Sequence, residues 1–426
     1  MIETIEIQRM SYGPMSVGKL SSGKTCFVEG GIPNETCEIE VFRQEERLAY
    51  GKKVEKNGQA SFLPGQPWAH LPYEIQVEQK RQIIIEALVR VGGLEREKIV
   101  KNMPGLIFSP VQEYNYRNKI ELAYRDGCLG MMQEGTNKFV KLESYPLACK
   151  AIEDAPKKIA GALRFATHGQ DVGIFRVCVR ASERTNSLEV AIWTTPGWFA
   201  RAEVAKVLSS AIDTTSIVRV IANEGRARRV KQVEVLAGDG NWHERLSNID
   251  YRVSAPSFFQ VNTWGAEQLQ NIVIDFVKKR PGLNLKIADL YCGCGTFTLL
   301  LAKEGYQVTG VELAGSSTRD LKRNLKINRL KAEIFCDDVL KKLPDLNFMD
   351  VAIVDPPKSG LDKRVIMNLA AKTDCIIYVS CDPQTLARDV KRLSSFGFEL
   401  QAVQAVDMFP QTYHVETVVL LSKKQR

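Results

Sequence analysis

DLYCGCGTFTL, residues 289–299, carries an apolar strand pattern straight into a helical one. Gly293 and Gly295 fall where KIADLYCG gives way to FTLLLAKEG. Glycine at that junction lets the backbone come close to a ligand, and the helix start offers unpaired N–H groups. The third glycine of a dinucleotide fingerprint is absent, since Phe297 and Thr298 follow. Taken alone, the glycines fit a structural turn flanked by solvated acids equally well. The flanks decide the fold. A helix over 264–280 precedes the stretch, and QVTGVEL, SSTRDLKRNLKINRL, AEIFCDDV, MDVAIVDPP, a helix over 363–372, CIIYVSCDP and TLARDVKRLSSFG follow it. This alternation predicts an α/β unit with a mostly parallel, doubly wound, Rossmann-like sheet. FELQAVQAVDMF and HVETVVLLSK close the chain as an antiparallel edge.

Upstream the rhythm differs. IETIEIQRM, TCFVEGG and ETCEIEVFRQ, set between glycine turns, predict a small β-barrel over 1–57. A Gly/Pro-rich linker (57–72) leads to the helix YEIQVEQKRQIIIEALVRVGGL, and strands such as GIFRVCVRASE and SLEVAIWTT dominate thereafter. Three domains are expected: 1–57, a central mixed α+β domain over 73–255, and the doubly wound domain over 256–426. With 44% hydrophobic and 25% charged residues among 426, the chain can build such cores. A net charge of +8 permits a polyanionic partner without demanding one. The ten cysteines include no C-x-x-C pair and no histidine cluster, so no metal site is expected. No signal-peptide core and no 18-residue apolar run is seen, so the expectation is a cytoplasmic protein with no membrane partner.

The strand ends carry the chemistry. Glu312 ends the second strand, where an acid takes two ribose hydroxyls, and Asp337 and Asp338 end the third, suited to an adenine amino group. An acid at each of the first three strand ends fits S-adenosyl-L-methionine better than NAD. At the fourth, Asp355-Pro356-Pro357 forms a stiff lip over the crevice. Cys381 leaves the fifth beside it. A buried structural thiol is the default for a single cysteine, but a turn at a strand mouth is where nucleophiles sit. A thiol beside a methyl donor implies an acceptor that cannot be methylated unaided, such as carbon 5 of a pyrimidine. Thiolate addition at carbon 6 makes carbon 5 nucleophilic, and a base must then take its proton. Glu416, two residues from His414 and abutting a buried strand, can serve. Phe258-Phe259-Gln260-Val261-Asn262 adds a segment suited to a pocket or to the core.

FFQVN, DLYCGCGTFTL, VE, DPPKSG, YVSCDP and FPQTYHVET stand in the order and spacing of the RNA uracil-5 methyltransferase family, which residues 255–421 closely resemble. The resemblance implies a class I methyltransferase domain, Cys381 as nucleophile and Glu416 as base. It implies cofactor or cleft positions for Gln260, Tyr291, Gly293, Gly295, Thr296, Glu312, Asp338 and Asp355, with Asp337 a close competitor of Asp338. YGPMSVGKLSSGKTCFVEGGIPNETCEIEV resembles the TRAM domain of many members, a small barrel that binds RNA, with Tyr12, Lys19, Lys24, Phe27 and Arg43 as candidates. Further RNA contacts are expected at Phe259, at Arg117-Asn118-Lys119, and at the basic hairpin with Arg219, Arg226, Arg228, Arg229 and Lys231. Many barrel-bearing relatives hold an iron–sulfur cluster, but FLPGQPWAHLPYEIQVEQK has no cysteine and Tyr145 takes the fourth ligand's place, so none is expected here. Trp68, His70 and Leu71 are expected to hold that segment by packing. The barrel favours large-subunit ribosomal RNA as target; transfer RNA and a catalytically silent RNA-binding factor are the alternatives, and a monomer is the default assembly. An amino-group methyltransferase is disfavoured, because Lys358 rather than an aromatic ring follows Asp355-Pro356-Pro357.

Overall fold

Val351–Val354 and Cys375–Ser380 are buried along their whole length, as strands must be when helices cover both faces of a sheet. Alternate residues serve opposite cores. Ile376 and Tyr378 join one, and Ile377 and Val379 join the other. The structure, a computed structural model, describes residues 1–54, 65–103, 105–107, 112–133, 138–223, 229–282 and 284–423, with backbone alone at 106–107. The catalytic sheet runs Glu333–Cys336, Gln307–Glu312, Lys286–Leu290, Val351–Val354, Cys375–Ser380, Glu416–Lys423, Phe398–Val406 and Leu106–Ile107. The first five strands are parallel. Glu416–Lys423 is antiparallel to both its neighbours, as the sequence predicts.

The expected central domain takes in too much. Helix Tyr73–Arg90 packs on helix Pro383–Ser394, and its Ile84, Ile85 and Leu88 join Tyr378, Leu386 and Val419 in one core. Hairpin Trp242–Leu246/Ile249–Val253 likewise packs with helix Thr263–Lys278 in the opposite core. Both segments cover catalytic-sheet strands far along the chain, so their nearness in sequence to the central strands misleads. The central sheet proper comprises seven strands between Lys119 and Gly238, covered by helices Ala155–Ala166 and Arg201–Ala211.

The N-terminal strands Ile2–Met10, Ser16–Lys19, Thr25–Glu29, Leu48–Lys53 and Thr36–Gln44 close into a barrel around Ile5, Ile7, Cys26, Val28 and Ile39. Closure forces Gly18, where a Cβ would lie 2.6 Å from the Glu6 carbonyl oxygen. After the barrel, Trp68 and Leu71 are buried among Met10, Ile83 and Tyr413, while His70 remains exposed. The Tyr145 ring packs against residue 65, where a Cβ would fall 2.5 Å from its hydroxyl. Among the described residues no helix is long and apolar enough to cross a membrane.

Candidate active site

The turn that bears Cys381 is locked on both sides. Asp382 caps helix Pro383–Ser394, its Oδ1 accepting from the N–H groups of Gln384 (3.0 Å) and Thr385 (2.9 Å). Pro383 opens the helix, and the Ser380 hydroxyl accepts from the Asp382 N–H at 3.1 Å. The ladder then sets the partner. Ser380 pairs with Thr417, Cys381 follows the one, and Glu416 precedes the other. The two candidate catalytic residues thus lie one position beyond the last rung of one antiparallel pair, near enough for the Glu416 charge to act on the Cys381 thiol.

Asp289 and Asp355, from the parallel strands alongside, extend this pair into a row of acids. Burial, and then the Asp355 charge, push Glu416 up to about 8. Burial, and then Asp289, push Asp355 up to about 7. Asp289 is also raised to about 7 by burial, with Glu312 adding and the Thr298 hydrogen bonds opposing. Its Oδ2 accepts from the Thr298 hydroxyl at 2.5 Å, and its buried Oδ1 has no protein partner. Cys381 is pushed up to about 12, by burial first and then by Glu416, Asp355 and Asp382. Such a row is a poor place for an anion and a good one for a cation.

Glycines and acids gather at the adjoining strand ends. Glu312 accepts from the N–H groups of Gly293 (3.0 Å, Oε2) and Ala314 (2.6 Å, Oε1), which fixes its carboxylate and leaves a lone pair on each oxygen. Gly293 has φ 54°, and a Cβ there would meet nothing within 4 Å, so it borders open space. Gly295 does something else: a Cβ would lie 2.3 Å from Leu321 Cδ1, so it is needed for packing. The Thr296 carbonyl takes a bond from buried Gln270 at 2.6 Å. Tyr291 also adopts a positive φ, 66°, and is half-buried at the strand exit. Asp338 caps the short helix Val339–Lys342 through the Leu340 N–H, while Asp337 accepts from the Asp338 N–H at 2.8 Å. Open space at Gly293 beside the fixed Glu312 fits a ribose, while Asp289 lies wholly buried behind it.

The expected RNA residues scatter. Phe259 is buried edge-on between Trp242 and Tyr251, out of reach of a substrate, and Phe258 beside it is the exposed ring. Gln260 is buried, and its carbonyl accepts from Asn118 Nδ2 at 3.0 Å. Asn118 is therefore a strut between the central and catalytic layers, with no exposed surface for RNA. Asn262 caps helix Thr263–Lys278 and donates to the Met408 carbonyl. Arg117 lies half-buried against the Tyr116 and Tyr145 hydroxyls, and Lys119 pairs with Glu121 at 3.3 Å. Arg219 is fully buried over Phe199, bonded to Thr194 and Glu234, so it leaves the basic face. Arg229 is exposed. Arg226 and Arg228 lie outside the described residues.

A buried knot that the sequence reading lacks supports the Glu416 strand. Lys80 and Asp407, both wholly buried, pair at 2.7 Å. Lys80 also donates to the Phe409 carbonyl, and the Tyr73 hydroxyl donates to Asp407 at 3.1 Å. Gln76 bonds the Trp68 and Leu71 carbonyls and the Gln411 side chain. Helix Tyr73–Arg90 so fixes the loop 407–414 that delivers His414 and Glu416. Neither partner has a local signal: Lys80 sits in an ordinary helical pattern, 327 residues from Asp407.

A doubly wound sheet with an antiparallel terminal pair, and acids gathered with a thiol at its strand ends, are features of a methyltransferase catalytic domain. A family model described as tRNA (Uracil-5-)-methyltransferase matches residues 73–424, and the chain belongs to that family. It is an RNA uracil-5 methyltransferase, as the sequence resemblance implies. A protein of Caldanaerobacter subterraneus subsp. tengcongensis, named an uncharacterized RNA methyltransferase, is 30% identical over 99% of each chain. One of Thermotoga maritima with the same description is 28% identical over the full length of both. Among solved structures, the Pyrococcus abyssi tRNA (uracil-54, C5)-methyltransferase in complex with S-adenosyl-L-homocysteine superposes with a TM-score of 0.74. It is 26% identical and covers 99% of this chain and all of its own.

Proposed function

We propose that the protein uses S-adenosyl-L-methionine to methylate carbon 5 of a uridine in RNA, with Cys381 as nucleophile and Glu416 as base. The observation that supports the reading is that Cys381 and Glu416 flank the last rung, Ser380–Thr417, of one antiparallel pair, with the Glu416 charge acting on the thiol. Bound S-adenosylmethionine supplies an electrophilic methyl group and a positive charge. A cation beside the row of acids lowers the pKa of each, including the Cys381 thiol. The Cys381 thiol then gives its proton to solvent, the thiolate adds to carbon 6 of the uracil, and the electron pair moves through carbon 5 to oxygen 4. Carbon 5 takes the methyl group. Glu416 removes the proton left on carbon 5, and the carbon 6–sulfur bond breaks to restore the ring double bond and the thiolate. The target base must leave its stack to reach Cys381, which is cheapest in a loop.

Large-subunit ribosomal RNA is the proposed target, on the strength of the N-terminal barrel. Transfer RNA is the second reading, because the Pyrococcus abyssi tRNA enzyme matches this chain over its whole length, barrel region included. All ten cysteines are free, which supports a reducing compartment such as the cytoplasm, and a monomer is the simplest assembly. The test is incubation with S-adenosylmethionine and total RNA from cells lacking the gene, with 5-methyluridine mapped by mass spectrometry. Methylation of one site by the wild type and not by Cys381→Ala is expected, and the RNA that gains it settles the target. A Cys381→Ala variant that still methylates would sink the mechanism.

A further inference from the structure

The barrel reaches into the active site. Its turn between strands Ile2–Met10 and Ser16–Lys19 puts the Tyr12 hydroxyl 3.3 Å from the Cys381 carbonyl oxygen and 3.4 Å from Asp382 Oδ2. Asp382 uses Oδ1 to cap the following helix, so Tyr12 approaches the oxygen that the cap leaves over. The Tyr12 ring meets Tyr413 edge-on, centroids 5.7 Å apart, and Tyr413 leans on His414 at 4.3 Å. One ring thus touches the turn that carries the thiol and the loop that delivers the base.

The turn that bears Tyr12 is itself pinned. The Met10 N–H donates to Gln79 Oε1 at 2.8 Å, the Trp68 indole N–H donates to the Gly13 carbonyl at 2.9 Å, and the Ser11 hydroxyl donates to the Met15 carbonyl at 2.5 Å. Two of these anchors come from outside the barrel, so Tyr12 is held against the catalytic layer. The sequence alone places Tyr12 among surface candidates for RNA.

We propose that Tyr12 is a positioning residue for the Ser380-Cys381-Asp382 turn, so that the N-terminal barrel completes the active site as well as serving RNA. The inference rests on Cys381 being the nucleophile. Without the hydroxyl, the Cys381 carbonyl and Asp382 Oδ2 lose a donor, the turn gains freedom, and the sulfur spends less time in line with carbon 6.

The experiment uses the full chain and compares Tyr12→Phe, Cys381→Ala and wild type. The readouts are kcat, the KM values for RNA and S-adenosylmethionine, the rate of denaturant-stable adduct formation with 5-fluorouridine-substituted RNA, and the melting temperature. Tyr12→Phe is expected to lower kcat and the adduct rate by about tenfold, the effect of one lost hydrogen bond, with both KM values and the melting temperature nearly unchanged. A wild-type kcat in Tyr12→Phe overturns the inference. A raised KM for RNA with kcat unchanged also overturns it and returns Tyr12 to the RNA surface. If Tyr12→Phe does not fold, Asp382→Asn carries the test. It keeps a capping oxygen and removes the carboxylate acceptor, and an unchanged kcat there counts against the inference. Activity in Cys381→Ala sinks the nucleophile reading and the inference with it. An inactive Cys381→Ala beside a wild-type Tyr12→Phe sinks the inference alone.

Discussion

Glu416 is held mostly protonated at neutral pH by its buried position and by Asp355. A base must be ionised to work, so kcat/KM for the free enzyme should rise with pH through about 8. Rate measurements between pH 6 and 9 check this; a flat profile would mean that proton removal falls to another group. In Glu416→Gln the methyl group can transfer but carbon 5 keeps its proton. We expect turnover to fall by about 10²-fold or more and a covalent protein–RNA band to build up on denaturing gels. The same acids bear on stability. A carboxyl whose folded pKa is raised binds its proton more tightly folded than unfolded. Its contribution is therefore complete below the unfolded value of about 4 and is lost as pH climbs through the folded one. With Asp289 and Asp355 raised to about 7 and Glu416 to about 8, the ligand-free protein should melt several degrees lower at pH 8 than at pH 5. Scanning calorimetry tests it, and Asp289→Asn with Asp355→Asn and Glu416→Gln should flatten the dependence. The two crevice glycines should also part company. Gly295→Ala drives a methyl into Leu321 and should lower the melting temperature. Gly293→Ala meets open space but must hold φ at 54°, at a cost of about 1 kcal/mol, so a smaller fall in melting temperature should accompany weaker binding of S-adenosylhomocysteine by calorimetry.

Among the elements, helix Tyr73–Arg90 stands out, because it holds the loop that precedes the Glu416 strand. Removing one partner of a buried pair leaves the other charge stranded, at a cost of about 3–5 kcal/mol. Lys80→Ala should therefore show a large fall in the urea midpoint and, at temperatures where it still folds, a loss of kcat. A variant with wild-type stability would show that Lys80 and Asp407 are not jointly charged. Legibility follows the same division. The βαβ alternation, Cys381 at a strand mouth and Glu416 at a strand start can all be read from the sequence, because each depends on a period of two or on a local turn. The home of helix Tyr73–Arg90 cannot, since its apolar stripe fits any uncovered sheet face. Phe259 shows the same limit: two adjacent phenylalanines do not reveal which one faces inward. Arg219 and Asn118 read as surface groups because their buried partners come from other segments.

Across the whole molecule, the expected cations divide. Among the described ones, Arg219 is buried, Lys119 is paired and Arg117 is half-buried, while Lys19, Arg43, Arg229 and Lys231 are exposed. RNA binding should then depend only moderately on salt. The slope of log K against log salt, from fluorescence anisotropy, should correspond to roughly four or fewer released counterions, at about 0.7–0.9 per phosphate contact. A slope near ten would reveal a far broader basic face. The row of acids has a further consequence, one for survival under a burst of oxidant. Peroxide and alkylating agents attack thiolates, and Cys381 is held as a thiol while the enzyme is idle. The reactive sulfur is in effect sheathed until a positively charged methyl donor sits beside it, so the enzyme should suffer oxidative damage chiefly while it is loaded for work.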